Sequence, residues 1–140
     1  MATIKDCADF ANANKSCYLA TCDGDQPHVR AMGMWFADET GFYFQSQTVK
    51  SLYKQLQNNS KVELSFTDGN TVLRVMGKSR FITDESLLVR CIKERPMLSK
   101  IGVTEPSDPL LAAFQVYTGE AFFWTFADSM NEASLPRIKF

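Results

Sequence analysis

The sequence predicts an α+β fold that is mainly β: six or more antiparallel strands, curled or closed into a barrel, with helices on its flanks. Three observations predict it. Apolar and alternating stretches come in adjacent groups joined by short turn signals, such as Asp23-Gly24-Asp25, Asp38-Glu39-Thr40-Gly41 and Asp68-Gly69, which is the spacing of hairpins. Three segments of helical periodicity are inserted between these groups, where a doubly wound parallel sheet would alternate helix and strand throughout. That many antiparallel strands hide their edges by curling or closing.

The elements follow in order. Thr3 is placed to cap a helix, with Asp6 three residues on as a partial capping box. Ile4, Cys7, Ala8 and Ala11 then repeat at helical spacing up to Asn12-Ala13-Asn14. Ser16 to Thr21 reads as a buried strand, and Val29 to Phe36 as the second, after Pro27 at its start. Phe42-Tyr43-Phe44-Gln45 is a third strand rich in aromatics. Val49, Leu52, Tyr53 and Leu56 fall at i, i+3, i+4 and i+7, a helix with Thr48 as N-cap. Val62, Leu64 and Phe66 alternate with polar residues, giving a strand with one wet face. Val72 to Thr83 is a long strand in which Gly77 marks a bulge or a close approach. Asp84 caps a third helix with the face Leu88, Cys91 and Ile92, which Pro96 ends. Residues 97 to 111 read as loop or broken turns. Phe114 to Tyr117 and Ala121 to Phe126 read as two closing strands around Gly119, and Ser134 to Phe140 as a tail that docks as a short edge.

Composition bounds the function. The chain has 140 residues, the size of one domain, and is 45% hydrophobic and 22% charged. Fifteen basic against 16 acidic residues leave no broad basic field for a nucleic-acid backbone. No stretch approaches the roughly 20 apolar residues of a membrane span. The start, Met1-Ala2-Thr3-Ile4-Lys5-Asp6, is not that of a signal peptide, so a cytoplasmic location is expected, with Cys7, Cys17, Cys22 and Cys91 as reduced thiols. No two cysteines form a C-x-x-C pair and His28 is the sole histidine, which argues against zinc sites and hydrolase triads. Gly77-Lys78-Ser79 has the ending of a P-loop, but Val72 stands where its first glycine belongs, and no G-x-G-x-x-G is present.

One junction fits anion chemistry. Gln45-Ser46-Gln47-Thr48-Val49-Lys50-Ser51 joins the third strand to the second helix. A helix N-terminus offers free N–H groups and partial positive charge, to which Ser46, Thr48 and Ser51 add hydroxyls and Lys50 an ammonium. The alternative is an ordinary capped helix with a solvated lysine, which this segment alone favours. Arg30 lies in a run of apolar and small residues, where a guanidinium needs a phosphate, a carboxylate or a surface acid as partner. If the second and third strands are neighbours, Arg30 and Lys50 converge on one anion. The many aromatics, among them Trp35, Phe36, Phe123, Trp124 and Phe126, fit a core, a subunit interface or the border of a flat cofactor.

Several segments in order resemble one family. They are Tyr18-Leu19-Ala20-Thr21-Cys22-Asp23-Gly24-Asp25-Gln26-Pro27-His28-Val29-Arg30, Lys50 to Asn59 with the strand Lys61 to Phe66, Leu73-Arg74-Val75-Met76-Gly77-Lys78-Ser79, and Arg137-Ile138-Lys139-Phe140. Together they resemble the pyridoxamine 5'-phosphate oxidase-like, FMN-binding split-barrel family over essentially the whole chain. The resemblance implies a split barrel that forms a homodimer with two FMN sites at the interface. It implies that Arg30, Ser46, Thr48 and Lys50 hold the phosphate, that the backbone of Ala31 and Met32 runs along the isoalloxazine ring, and that Gln45 reaches the ring. Members commonly have a proline after the arginine, where this chain has Ala31. True pyridoxamine-phosphate oxidases carry a further arginine and histidine near the C-terminus; this chain has Arg137 but no histidine after His28, so pyridoxamine phosphate is not the expected substrate. The expected function is an FMN-dependent oxidoreductase acting on an unidentified small molecule. The alternatives are a non-catalytic module that binds or senses flavin or haem, with His28 as the one available haem ligand, and a structural dimer with a vestigial site.

Overall fold

A computed structural model describes residues 1–140, and its first helix begins where the capping pattern places it. Thr3 caps α1 (Ile4–Ala13): its hydroxyl accepts the Asp6 N–H at 3.3 Å, and the Asp6 carboxylate accepts the Thr3 N–H at 2.7 Å. The apolar stripe of α1 buries Cys7, Ala8 and Ala11. The chain then runs out through β1 (Ser16–Asp23) and back through β2 (Gln26–Gly33), around Gly24 at φ 60°.

The second predicted strand, Val29 to Phe36, is two strands. β2 ends at Gly33, and β3 (Phe36–Asp38) pairs with β4 (Gly41–Gln47) instead of with β1. Met34 and Trp35 between them are 0% and 3% exposed. They are buried in different places, Met34 in the barrel core and Trp35 in a smaller cluster with Tyr43, Cys91 and Leu98, and the chain swivels here from pairing with β1 to pairing with β4. Met34 N–H donates to Lys15 O and Trp35 N–H to Tyr43 O across the break.

The second helix, α2 (Ser51–Asn58), starts later than the periodicity predicts, with Lys50 at the N-cap and no side-chain cap. Thr48 is not the cap: its hydroxyl donates to Pro109 O at 3.0 Å and its N–H to Leu110 O. Val49 accordingly leaves the apolar face and stands 81% exposed, while Leu52, Gln55 and Leu56 are buried. β5 (Lys61–Thr67) and β6 (Thr71–Phe81) form the next hairpin, with Val62, Leu64 and Phe66 turned inward. Asp84 caps α3 (Glu85–Glu94), which buries Cys91 and gives way at Pro96 to a 3-10 helix, Pro96–Ile101.

The two closing strands predicted around Gly119 are one strand, β7 (Leu111–Thr125). Gly119 lies opposite Gly77, and the backbones touch: a Cβ on Gly119 would sit 2.1 Å from Met76 O, and one on Gly77 2.5 Å from Thr118 O. Gly119 at φ 153° bends the strand without ending it. The register slips between Lys78 and Ser79, which leaves Tyr117 as the extra residue of a bulge. The bulge of this pair thus sits on β7, next to the close approach at Gly77. β8 (Ile138–Lys139) docks on β7 as the predicted edge.

The strand order is β2-β1-β5-β6-β7-β4-β3. β2 and β3 are consecutive in the chain yet lie at the two ends of the sheet. The sheet therefore curls until its ends are joined by Met34 and Trp35 without pairing, and the barrel stays split between β2 and β4. Phe42, Phe44, Phe66 and Phe114 fill its interior with Leu19, Leu64 and Val75, all essentially inaccessible. Cys7, Cys17 and Cys91 are packed into the core, where burial pushes their thiols up to about 11, 12 and 11. No helix is long and apolar enough to cross a membrane.

Candidate functional site

The split opens a cavity of about 650 Å³ between β2, the β4–α2 junction and the end of α3. Its lining contains three cations, Arg30, Lys50 and Arg95, and no aspartate or glutamate. None of the three takes part in an ion pair; the ion pairs join Lys5, Arg74 and Arg90 to acids elsewhere. A chain of net charge -1 has thus gathered unbalanced positive charge in one concavity.

Arg30 reaches the cavity from β2. Its Nη1 donates to Thr21 Oγ1 at 2.8 Å and its Nη2 to Gln55 Oε1 at 2.7 Å. Burial lowers the pKa of this guanidinium from its ordinary value. The β2 strand pairs with β1 on one edge only. The main chain of Ala31, Met32 and Gly33 therefore borders the cavity with a free edge. From the other wall come Gln45 and Ser46 of β4 and Lys50 and Ser51 at the start of α2. Ser46 is 2% exposed, and its hydroxyl is buried without any hydrogen-bond partner. A buried hydroxyl left unpaired costs about 1–3 kcal/mol, so its place on the wall of a basic cavity marks a point where an acceptor of a ligand fits.

Seven of the eight predicted site residues line this cavity: Arg30, Ala31, Met32, Gln45, Ser46, Lys50 and Ser51. Thr48 does not, because its hydroxyl and its N–H are both spent on the 109–110 loop. β2, the part of the second predicted strand that carries Arg30, is not a sheet neighbour of β4; Arg30 and Lys50 line one cavity from opposite sides of the split. Sequence reasoning missed Arg95. It closes the outer wall with Met97, donating to Gly33 O at 3.2 Å and Met34 O at 3.4 Å, while its Nε is buried and unpartnered. Nothing local distinguishes Arg95 from any arginine at a helix end. Its neighbour Glu94 secures α3 to the swivel by accepting Trp35 Nε1–H at 2.9 Å. His28 is half-buried on β2 and does not line the cavity.

Comparison with known proteins agrees with this architecture. The pyridoxamine 5'-phosphate oxidase family matches residues 3–125. The chain belongs to that family. Among solved structures, a NimC/NimA family protein from Clostridium acetobutylicum superposes with a TM-score of 0.80 at 24% identity, covering 98% of this chain and 93% of its own. General Stress Protein 26 from Bacillus anthracis str. Sterne gives 0.73 at 15% identity, covering 94% of each chain. A pyridoxamine 5'-phosphate oxidase-related, FMN binding protein from Nostoc punctiforme PCC 73102 gives 0.69 at 13% identity, covering 90% of this chain and 86% of its own. At these identities the three establish the split-barrel fold of the pyridoxamine 5'-phosphate oxidase family and nothing finer. No match is found among curated proteins.

Proposed function

We propose that this chain binds FMN in the cavity at the split and acts as an FMN-dependent oxidoreductase, paired with a second copy of itself. One observation carries the reading: three cations without a counter-ion line the same cavity as a buried serine hydroxyl without a partner. A phosphate monoester supplies both the missing charge and the missing acceptor oxygens. In this reading Arg30, Ser46, Lys50 and Ser51 hold the phosphate, and Thr48 keeps the approach to α2 in place through Pro109. The free edge of β2 at Ala31 and Met32 supplies main-chain groups along one side of a flat heteroaromatic ring, and Gln45 faces the ring from β4. Bound FMN brings two-electron, hydride-type chemistry. The chain's own part is to orient it, to limit water at the split and to set the charge around it. Arg95, with a free buried N–H at the outer wall, suits an acidic group on the second substrate.

The pairing with a second copy rests on what the fold leaves outside. β2 keeps an open edge, and Val29, Phe126 and Met130 are 69%, 84% and 92% exposed. One observation favours a second reading, a flavin-binding module without turnover: no Asp, Glu, His, Cys or Tyr lines the cavity to serve as a general acid or base. Haem has less support, since His28 lies outside the cavity.

The test is the visible spectrum of the purified protein together with the mass of the ligand it releases. A flavin spectrum and the mass of FMN are expected. A colourless protein that takes up no added FMN overturns the proposal. Reduction of the bound flavin by a nicotinamide donor, with reoxidation at a turnover rate, separates the oxidoreductase from the storage module.

A further inference from the structure

The barrel side of the cavity holds a closed triangle of hydrogen bonds. Arg30 Nη1 donates to Thr21 Oγ1 at 2.8 Å, Thr21 Oγ1 donates to Gln55 Oε1 at 2.6 Å, and Arg30 Nη2 donates to Gln55 Oε1 at 2.7 Å. Thr21 and Gln55 are 2% and 7% exposed, on faces of β1 and α2 whose other buried residues are apolar, Leu19, Leu52 and Leu56 among them. Burying polar side chains there is costly unless they are paired, and apolar residues of similar size would pack the same space. Their common partner is Arg30.

The chemistry of that partnership is unusual for a half-buried arginine. Both acceptors are neutral, as is the Leu19 carbonyl that Nη1 also reaches at 3.4 Å, and no carboxylate pairs with the guanidinium. A carboxylate at position 55 would satisfy the same geometry with greater strength, but it would cancel the charge facing the split. Gln55 also stands on the helix whose first turn carries Lys50 and Ser51, so one side chain links the arginine of β2 to the opposite wall of the same cavity.

We propose that Gln55 and Thr21 are positioning residues: a neutral clamp that fixes the Arg30 guanidinium toward the split, orders it against α2 and leaves its full charge for the phosphate of the ligand. The inference rests on the phosphate reading above. The clamp governs discrimination between a phosphorylated flavin and the same ring without its phosphate, because Arg30 acts on the phosphate alone.

The test is the ratio of the dissociation constants of riboflavin and FMN, measured by flavin fluorescence on the full chain. Gln55→Glu keeps size and acceptor while adding a charge. It should cut the preference for FMN by about tenfold or more, through loss of one charge-assisted contact, with riboflavin affinity within about twofold of wild type. Thr21→Val, close in shape, removes one acceptor and should cut the preference by about threefold, and Thr21→Ser should restore it. A merely structural role would weaken both flavins together and leave the ratio unchanged. An unchanged ratio in Gln55→Glu overturns the clamp while the phosphate reading stands; if Gln55→Glu does not fold, an unchanged ratio in Thr21→Val does the same. A wild-type protein with no preference for FMN over riboflavin overturns the phosphate reading and the clamp with it.

Discussion

Arg30 and Arg74 are both half-buried arginines on strands of one sheet, and their surroundings are opposite. Arg74, on β6, donates through Nε and Nη2 to the Glu63 carboxylate and through Nη1 to Glu132 at 3.2 Å, and it lies 5.4 Å over the Phe122 ring. Its charge is cancelled within the chain, tying β5, β6 and the tail together. Arg30 meets only neutral acceptors, the Thr21 hydroxyl, the Gln55 amide oxygen and, at 3.4 Å, the Leu19 carbonyl, and it faces a cavity shared with Lys50 and Arg95. In the proposed reading, the arginine given a carboxylate serves structure and the one denied it serves an outside anion. Desolvating a cation is costly unless the surroundings compensate it; Arg74 is compensated at all times, and Arg30 fully so only with a ligand present.

The largest expected effect tests that contrast directly. Arg30→Ala combined with Lys50→Ala should weaken FMN binding by at least about 100-fold, since two charge-assisted contacts are lost. The ligand-free protein should still fold but melt somewhat lower, because the buried Thr21 and Gln55 lose the Arg30 donors. Unchanged affinity in a fluorescence titration would break the phosphate assignment. Ser46→Ala comes next: about five- to tenfold weaker FMN binding, with ligand-free stability equal or higher, because the variant removes an unsatisfied hydroxyl. A drop in ligand-free stability without any change in affinity would mean that the hydroxyl has a structural partner.

Arg74→Ala should lower stability without touching the ligand site. Loss of a partly exposed ion-pair cluster and of a ring contact should lower unfolding free energy by about 1 kcal/mol, read by denaturant titration, with FMN affinity within about twofold. If Arg74→Ala weakens FMN more than Arg30→Ala does, the contrast is wrong. The smallest effect is with pH. Burial lowers the Arg30 pKa, yet a guanidinium remains charged through the neutral range. Affinity should therefore be flat from about pH 7 to 9 and decline below about pH 6, as the phosphate takes up its second proton. A decline on the alkaline side instead would mean that a titrating lysine, not Arg30, holds the ligand.

What the residues determined by themselves is whatever depends on near neighbours. The Thr3–Asp6 box started α1, Gly24 and Asp68-Gly69 turned two hairpins, and the alternation of Val62, Leu64 and Phe66 set the inward face of β5. The residues of the cavity were legible in part: the local sequence offered Arg30, Ser46 and Lys50 as candidates, and the family resemblance, not the segment itself, chose them over an ordinary capped helix. Only the tertiary structure decided where competition between distant groups is settled. Thr48 fits an N-cap until a carbonyl 61 residues away takes its hydroxyl. Val29 to Phe36 fits one strand until its two ends find different partners, β1 and β4, and β7 runs through Gly119 because Gly77 lets the two backbones touch. Arg95 reaches the cavity through the carbonyl of Gly33, 62 residues earlier, and Gln55 is indistinguishable from other helix glutamines until Arg30 closes on it from β2. Caps, turns and alternation are contests within a few residues, which a sequence contains in full. A strand break, a diverted cap and an arginine clamp are contests between segments that meet only once the sheet has curled.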